Sequence, residues 1–228
     1  MIADIVRPRT VAEAVRAKSG PGAAWLGGGT WLNSGAAPSV RTLVSLELLG
    51  LRSITVEEGR CSIGAMATFQ DIADSPGVPS ALRDAVKLTA SRTLRNMVTL
   101  GGELGRKPAD SAVIPVLLAL EAEVSVAGRR KPLAIRGLLD ENEDRLVLGV
   151  SVPAPRAAGV RAVSRTSHGP RSLVVVLCGE RVVVSDCQGQ VRALRDPADF
   201  DPRPDMHASA PYKRYMIGVL VKELEASR

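Results

Sequence analysis

Three consecutive glycines and a threonine, Gly27-Gly28-Gly29-Thr30, stand directly behind the apolar run Ala23 to Leu26. Neither a helix nor a strand tolerates such a run in its interior, because each glycine gives up more backbone entropy on ordering than any other residue. The run therefore fixes a turn at the end of a short strand. Successive glycine amides in a turn can point into one concavity, which suits a phosphate or pyrophosphate. A plain strand-to-loop turn is the other reading that these residues alone leave open. Thr30 adds a hydroxyl donor, and Trp31-Leu32 adds apolar area beside it. A second glycine turn, Thr99-Leu100-Gly101-Gly102, follows about 70 residues later.

The elements around the two turns can be read from capping and periodicity. Thr10-Val11-Ala12-Glu13 is a capping box, so a helix should run to about Lys18, where Ser19-Gly20-Pro21-Gly22 breaks it. Ile5-Val6 and Thr42 to Leu46 read as strands. Ile54-Thr55-Val56 and Cys61-Ser62-Ile63 flank Glu57-Glu58-Gly59-Arg60 as a hairpin, and Thr68 caps a short helix. Helical spacing predicts one helix from Ser80 to about Arg95 with Leu82, Val86 and Leu94 facing inward. Ser111 can cap a helix over Ala112 to Leu120. Ala122 to Val126 and Leu146 to Val152 read as strands, and Val152-Pro153-Ala154-Pro155 as a linker. Beyond it, Arg161 to Arg165, Leu173 to Cys178 and Arg181 to Ser185 suggest a small antiparallel sheet. A loop from Asp196 to Pro211 and a closing helix from Tyr212 to Ser227 complete the chain.

Composition removes several function classes. With only Cys61, Cys178 and Cys187, and no Cys-x-x-Cys, the chain cannot hold a zinc ribbon or an iron–sulfur cluster alone. An odd number of dispersed cysteines reads as buried, reduced thiols. Two histidines, His168 and His207, are too few for a multi-histidine metal site. The net charge of +6 is spread along the chain except for Arg129-Arg130-Lys131, which reads as a solvated hairpin turn. Six aromatic residues offer little for stacking nucleic-acid bases, and a flat cofactor should meet backbone and aliphatic groups more than rings. The first nine residues carry no apolar signal core and no apolar run spans a bilayer, so the expectation is a cytoplasmic protein with no membrane or nucleic-acid partner. Glu141, Glu143 and Asp144 read as a solvated acidic loop. The first turn is neither a Rossmann fingerprint, which needs Gly-x-Gly-x-x-Gly opening a helix, nor a P-loop, because no Gly-Lys-Ser/Thr follows.

Taken in order, "RPRTVAEAV", "AAWLGGGTWLN", "SIGAMATFQDIA", "LRNMVTLGGEL" and "IPVLLALEAEVSV" resemble the FAD-binding medium subunit of the molybdenum hydroxylases, the family of xanthine and carbon monoxide dehydrogenases. The likeness runs from about Ile2 to Pro155 and continues through "APYKRYMIGVLV". It implies an α+β fold: a two-subdomain FAD-binding fold of the PCMH type, with subdomains over 1–50 and 51–155, followed by a small C-terminal antiparallel sheet plus helix over 156–228. It implies an oxidoreductase flavoprotein subunit that is not self-sufficient. Electrons would pass from iron–sulfur clusters of a partner chain through FAD to an acceptor such as NAD. Partner chains would carry molybdopterin and the 2Fe-2S clusters. No catalytic side chain is implied.

The resemblance places Leu26, Gly27, Gly28, Gly29, Thr30, Trp31, Leu32 and Asn33 at the first FAD loop, and Thr99, Gly101, Gly102 and Glu103 at the second. Arg161 is the candidate for a basic residue near the flavin pyrimidine. Trp31 stands where the family has an acidic residue, Glu103 where it has Asn, and Ala112 where it has Asp after Ser. Glu103 puts a negative charge near the phosphates, which is unfavourable unless it is protonated or paired, with Arg106 or Lys107 in reach. Asp110 is a shifted substitute for the missing Asp. These departures define the alternative: a degenerate, flavin-free subunit that is a scaffold for partner chains. A stand-alone oxidase with covalent flavin would need a His or Cys near the first loop, and none lies between Met1 and Arg60.

Overall fold

The computed structural model describes residues 2–32, 39–141, 143–153, 157–166 and 169–227. Strand β1 (Asp4–Val6), helix α1 (Val11–Lys18) and strands β2 (Ala23–Leu26) and β3 (Thr42–Ser45) open the chain, with the strands paired in parallel in the order β1-β3-β2. The Thr10 capping box forms: its hydroxyl accepts the Glu13 amide at 3.2 Å, and the Glu13 carboxylate accepts the Thr10 amide at 3.3 Å. Ala14 on α1 is buried with Val44 and Leu46, and Ala127 and Leu146 from later in the chain complete this small core. Lys18 strengthens the same junction. Its ammonium pairs with Asp144 at 2.8 Å and lies 5.7 Å from the centre of the Trp25 ring.

The second sheet is antiparallel, in the order β4-β5-β8-β6-β7, from β4 (Ile54–Glu57), β5 (Arg60–Gly64), β6 (Glu123–Val126), β7 (Leu133–Ala134) and β8 (Val147–Pro153). The β4–β5 hairpin is the one its sequence indicates, and Arg129-Arg130-Lys131 lies in the turn from β6 to β7. Six helices accompany the sheet: α2 (Phe69–Asp74), α3 (Ser80–Thr89), α4 (Arg92–Arg95), α5 (Leu100–Arg106), α6 (Val113–Ala119) and α7 (Ile135–Asp140). The single helix expected over 80–95 is two. Ala90 is extended (φ −150°, ψ 153°), and the Ser91 hydroxyl accepts the Leu94 amide to start α4. Leu82 and Val86 are buried as expected, but the break turns Leu94 outward, 48% exposed. The second glycine turn is also more regular than expected. Thr99 caps α5 by accepting the Gly102 amide at 3.2 Å, so both glycines fill the helix's first turn.

The third sheet is antiparallel, in the order β12-β11-β10-β9, from β9 (Ala158–Ser164), β10 (Arg171–Cys178), β11 (Arg181–Ser185) and β12 (Val191–Leu194). Three of its strands were legible as apolar runs; β12 was not. Every residue of β10 is buried, because both faces of the strand are covered. Val174, Val176 and Cys178 enter the large core shared with α3 and α6, while Leu173, Val175 and Leu177 pack against the closing helix α8 (Ala210–Ala226). The expected linker begins inside β8, which runs through Pro153; Ala154 and Pro155 lie outside the described residues, as do Asn33 and His168. All three cysteines are buried. Among the described residues no helix is long and apolar enough to cross a membrane.

A buried charge anchors α8. The Lys213 ammonium, on a side chain only 1% exposed, pairs with Asp205 at 2.8 Å and donates to the carbonyls of Asp186 and Arg203, each at 2.8 Å. Asp205 also accepts the amides of His207 and Ala208. Burial pushes the Asp205 carboxyl upward, but the Lys213 ammonium and the two amides outweigh it and hold the group below the usual carboxylate range. Its contribution to stability is therefore complete above the ordinary carboxylate pKa and lost as pH falls through the lowered one. Replacing Lys213 with Met strands a buried carboxylate and should cost about 3–5 kcal/mol at neutral pH. Urea unfolding should show that deficit, and the gap to the wild type should narrow in acid as Asp205 takes up a proton.

Candidate flavin cleft between two glycine turns

All three sheets contribute to one cleft of about 720 Å³. That is within the roughly 300–1,000 Å³ range of small-molecule sites. The first glycine turn leaves the end of β2 and the second opens α5, and the two meet in space. Gly28 makes this possible. A Cβ built there would fall 1.5 Å from the Met97 carbonyl oxygen, so the two backbones approach more closely than any side chain allows. Gly29 turns the chain in the left-handed region (φ 72°), beyond the contact.

Gly27, Gly28, Gly29, Thr30, Trp31 and Leu32 line one side of the cleft, and Thr99, Gly101, Gly102 and Glu103 the other. Leu26 does not line it: it is a β2 residue whose carbonyl accepts the Leu46 amide at 3.1 Å. Arg161 does not reach it either. It is an exposed residue in the middle of β9, opposite Val175, and its guanidinium donates to the Val160 carbonyl. The basic residue that the C-terminal sheet does bring to the cleft is Arg171, the first residue of β10.

The two turns offer different chemistry. Among the described residues, no protein acceptor takes the amides of Gly27, Gly28, Gly29 or Thr30. The second turn has no such reserve. Its amides donate inward: Leu100 to the Ala67 carbonyl, Gly101 to the Ala65 carbonyl at 2.7 Å, Gly102 to the Thr99 hydroxyl and Glu103 to the Thr99 carbonyl. This side of the cleft is thus shape and side chain rather than an amide cradle.

Most of the charges on the wall are already paired. Arg171, with its side chain 8% exposed, donates to the Asp110 carbonyl at 2.6 Å, to its carboxylate at 3.1 Å and to the Leu88 carbonyl at 2.7 Å. One guanidinium so binds the end of α3, the segment before α6 and the start of β10. Arg145 pairs with Glu143 at 2.5 Å and Glu141 at 3.4 Å. Arg106 is exposed, and among the described residues it makes no hydrogen bond or ion pair. Lys107 is not a partner for Glu103; its ammonium caps the α7 end through the carbonyls of Leu138 and Glu141. Glu103 instead accepts the Ser111 hydroxyl at 2.5 Å. Burial pushes the Glu103 carboxyl above the usual range; Asp110 adds to this, while the Ser111 bond, Arg171 and Arg106 oppose it. Behind this wall, burial pushes the Cys187 thiol up to about 12, which leaves no reactive thiolate there. Among the described residues no group of side chains could hold a metal ion.

Sequence reasoning missed Trp25 and Arg171. Trp25 and Trp31, the two tryptophans of the chain, are both among the residues lining the cleft, beside a larger number of glycine and aliphatic residues. Nothing local marked Arg171, which is brought in by β10 from 61 residues beyond its partner Asp110.

The family described as the FAD binding domain in molybdopterin dehydrogenase matches residues 1–155. The chain belongs to this family. Two Escherichia coli proteins, both named "Uncharacterized protein YgfM", from strain K12 and from O157:H7, are each 31% identical over 99% of this chain and 96% of their own length. The fold is that of a chain in quinoline 2-oxidoreductase from Pseudomonas putida 86 (TM-score 0.85, 18% identity, 98% of this chain and 95% of that one). Carbon monoxide dehydrogenase from Hydrogenophaga pseudoflava has it too (TM-score 0.81, 21% identity, 98% and 96%). The α+β architecture and the FAD that the resemblance implied are those of this family. The cleft fits such a cofactor: a loop whose amides have no protein acceptor among the described residues, a wall too close-packed at Gly28 for any side chain, and Trp31 to lie beside a flat ring.

Gly28 has an ordinary negative φ, so an alanine there would be penalised by the Met97 contact alone. Gly28→Ala should cost about 1–3 kcal/mol. Gly105→Ala, on the same wall but with open space around its Cβ, should be neutral or stabilising by about 0.4–1 kcal/mol. Paired denaturant melts check both.

Proposed function

We propose that the chain is the FAD-bearing subunit of a multi-subunit molybdenum hydroxylase, related to xanthine and carbon monoxide dehydrogenases. Molybdopterin and 2Fe-2S clusters would reside on partner chains, and electrons would leave to an acceptor such as NAD⁺. The observation that carries this reading is the convergence of both glycine turns on one cleft, where the amides of Gly27 to Thr30 have no protein acceptor among the described residues. Bound FAD supplies the redox chemistry, so the chain needs no acid–base pair or nucleophile of its own.

The residues have separable tasks. The Gly27–Thr30 amides and the Thr30 hydroxyl would receive the diphosphate, where backbone donors suit phosphoryl oxygens. Trp31 and Leu94 supply apolar surface that excludes water from a ring. Arg171, held by Asp110 and Leu88, keeps the third sheet closed over the end of the cleft. Thr99 holds the α5 turn in register with the first loop. The division proposed for the chain is a first subdomain over 1–50, a second over 51–155 and a C-terminal one over 156–228. The core of the second extends into the third through Val174, Val176 and Val183.

Calorimetric titration tests the reading. FAD should bind the folded chain with Kd at or below about 1 μM, and more tightly than FMN. Gly102→Leu, which fills the opposite wall, should weaken FAD binding at least about tenfold, or about 1.4 kcal/mol. A folded chain that binds no FAD, alone or mixed with its partner chains, would instead favour the flavin-free scaffold.

A further inference from the structure

We propose that Glu103 is a proton-linked ligand-binding residue: the cleft accepts an anionic diphosphate dinucleotide together with one proton, which Glu103 carries on Oε2 and donates to the ligand. The inference rests on the flavin reading above and adds to it the protonation state and hydrogen-bonding direction of one residue.

The geometry fixes where the proton sits. The Ser111 oxygen accepts the amides of Val113 at 3.2 Å and Ile114 at 3.1 Å, the first free amides of α6. With both lone pairs used, its hydrogen must point to Glu103 Oε1, 2.5 Å away. Oε1 is therefore the accepting oxygen in either charge state. Oε2 has no protein partner among the described residues, although the residue is only 6% exposed, and Glu103 lines the cleft. A proton taken up by this carboxyl goes to Oε2 and turns an acceptor into a donor facing the ligand.

The surroundings make that uptake follow binding. Arg106 on α5 and Arg171 on β10 oppose it, Asp110 before α6 favours it, and Asp144 and Arg145 before β8 complete the charged wall. Arg171 and Arg145 are already committed to Asp110, Glu143 and Glu141, so they cannot turn fully to Glu103. Without a ligand, solvent reaches the cleft that Glu103 lines. A diphosphate ligand replaces that water and brings negative charge, and both effects disfavour the carboxylate.

The test is FAD titration of the full chain by calorimetry in buffers of different ionisation enthalpy, across pH 5 to 9. The wild type should take up a proton on binding, approaching one per FAD. Its Kd should rise about tenfold per pH unit over the range in which only the complex is protonated. Glu103→Gln keeps the Ser111 bond and offers an amide donor; its Kd should be flat with pH and its proton uptake gone. Wild-type binding with no uptake and no pH slope overturns the proposal and leaves the flavin reading intact. So does an undiminished uptake in Glu103→Gln, which would assign the proton to another carboxylate. A folded wild type that binds no FAD at any pH overturns both. A wild type without uptake overturns the proposal whether or not that variant folds, and Glu103→Asn carries the comparison if Glu103→Gln does not fold.

Discussion

The approach of Gly28 to the Met97 carbonyl is the contact on which the cleft depends. It joins the first sheet's loop to the segment that leads into α5, backbone against backbone, with no side chain between. Two turns that would each be unremarkable become opposite walls of one site. The surrounding contacts hold this geometry: Lys18 spans from α1 to Asp144 beside Trp25, and Ala127 and Leu146 complete the core under α1. The third sheet is fixed by a different device, a strand buried on both faces, with Arg171 at its first residue reaching back to α3 and Asp110.

The electrostatics of the cleft follow from how much is already paired. The helix α5 begins at the site, but its first amides are spent on Ala65, Ala67 and Thr99, so it offers a ligand little at its end. The anion-receiving capacity therefore lies with the first loop, whose amides have no protein acceptor among the described residues. Opposite them stands Glu103, a carboxyl that the fold has surrounded rather than neutralised. Its one strong partner is a hydroxyl, not a cation. A buried acid in that setting is costly as an anion and inexpensive as a neutral group. This makes its protonation state a property of the site rather than an incidental feature of the surface.

Much of this was legible in the sequence where the signal is local. The Thr10 and Thr68 capping boxes, the β4–β5 hairpin, the strand into the glycine run and the apolar stretch of β10 each follow from short-range chemistry. The family resemblance lay in the order of such segments, and it gave the fold. What was not legible is non-local or a competition between neighbours. The break at Ala90 arises because Ser91 caps a new helix, which apolar spacing across 80–95 does not register. The α5 helix was hidden because two glycines fill its first turn. Arg161 was chosen by position along the chain, but strand pairing places it in solvent on β9, while Arg171 gains its role only when β10 meets Asp110. Lys107 stood next to Glu103 in reach, yet its left-handed backbone (φ 49°) sends it to the α7 end.

A flavin dinucleotide held between the two turns would lie in the space that both tryptophans border. Trp25 and Trp31, the chain's two tryptophans, both line that space, so the intrinsic fluorescence reports on it directly. The most direct measurement is tryptophan emission of the folded chain during FAD titration, corrected for absorbance with free tryptophan. A saturable loss of most of the emission at one FAD per chain is expected, because energy transfer from an indole to a flavin bound in the same cleft is efficient. Emission that stays unchanged while calorimetry records saturation would place the flavin elsewhere and contradict the account.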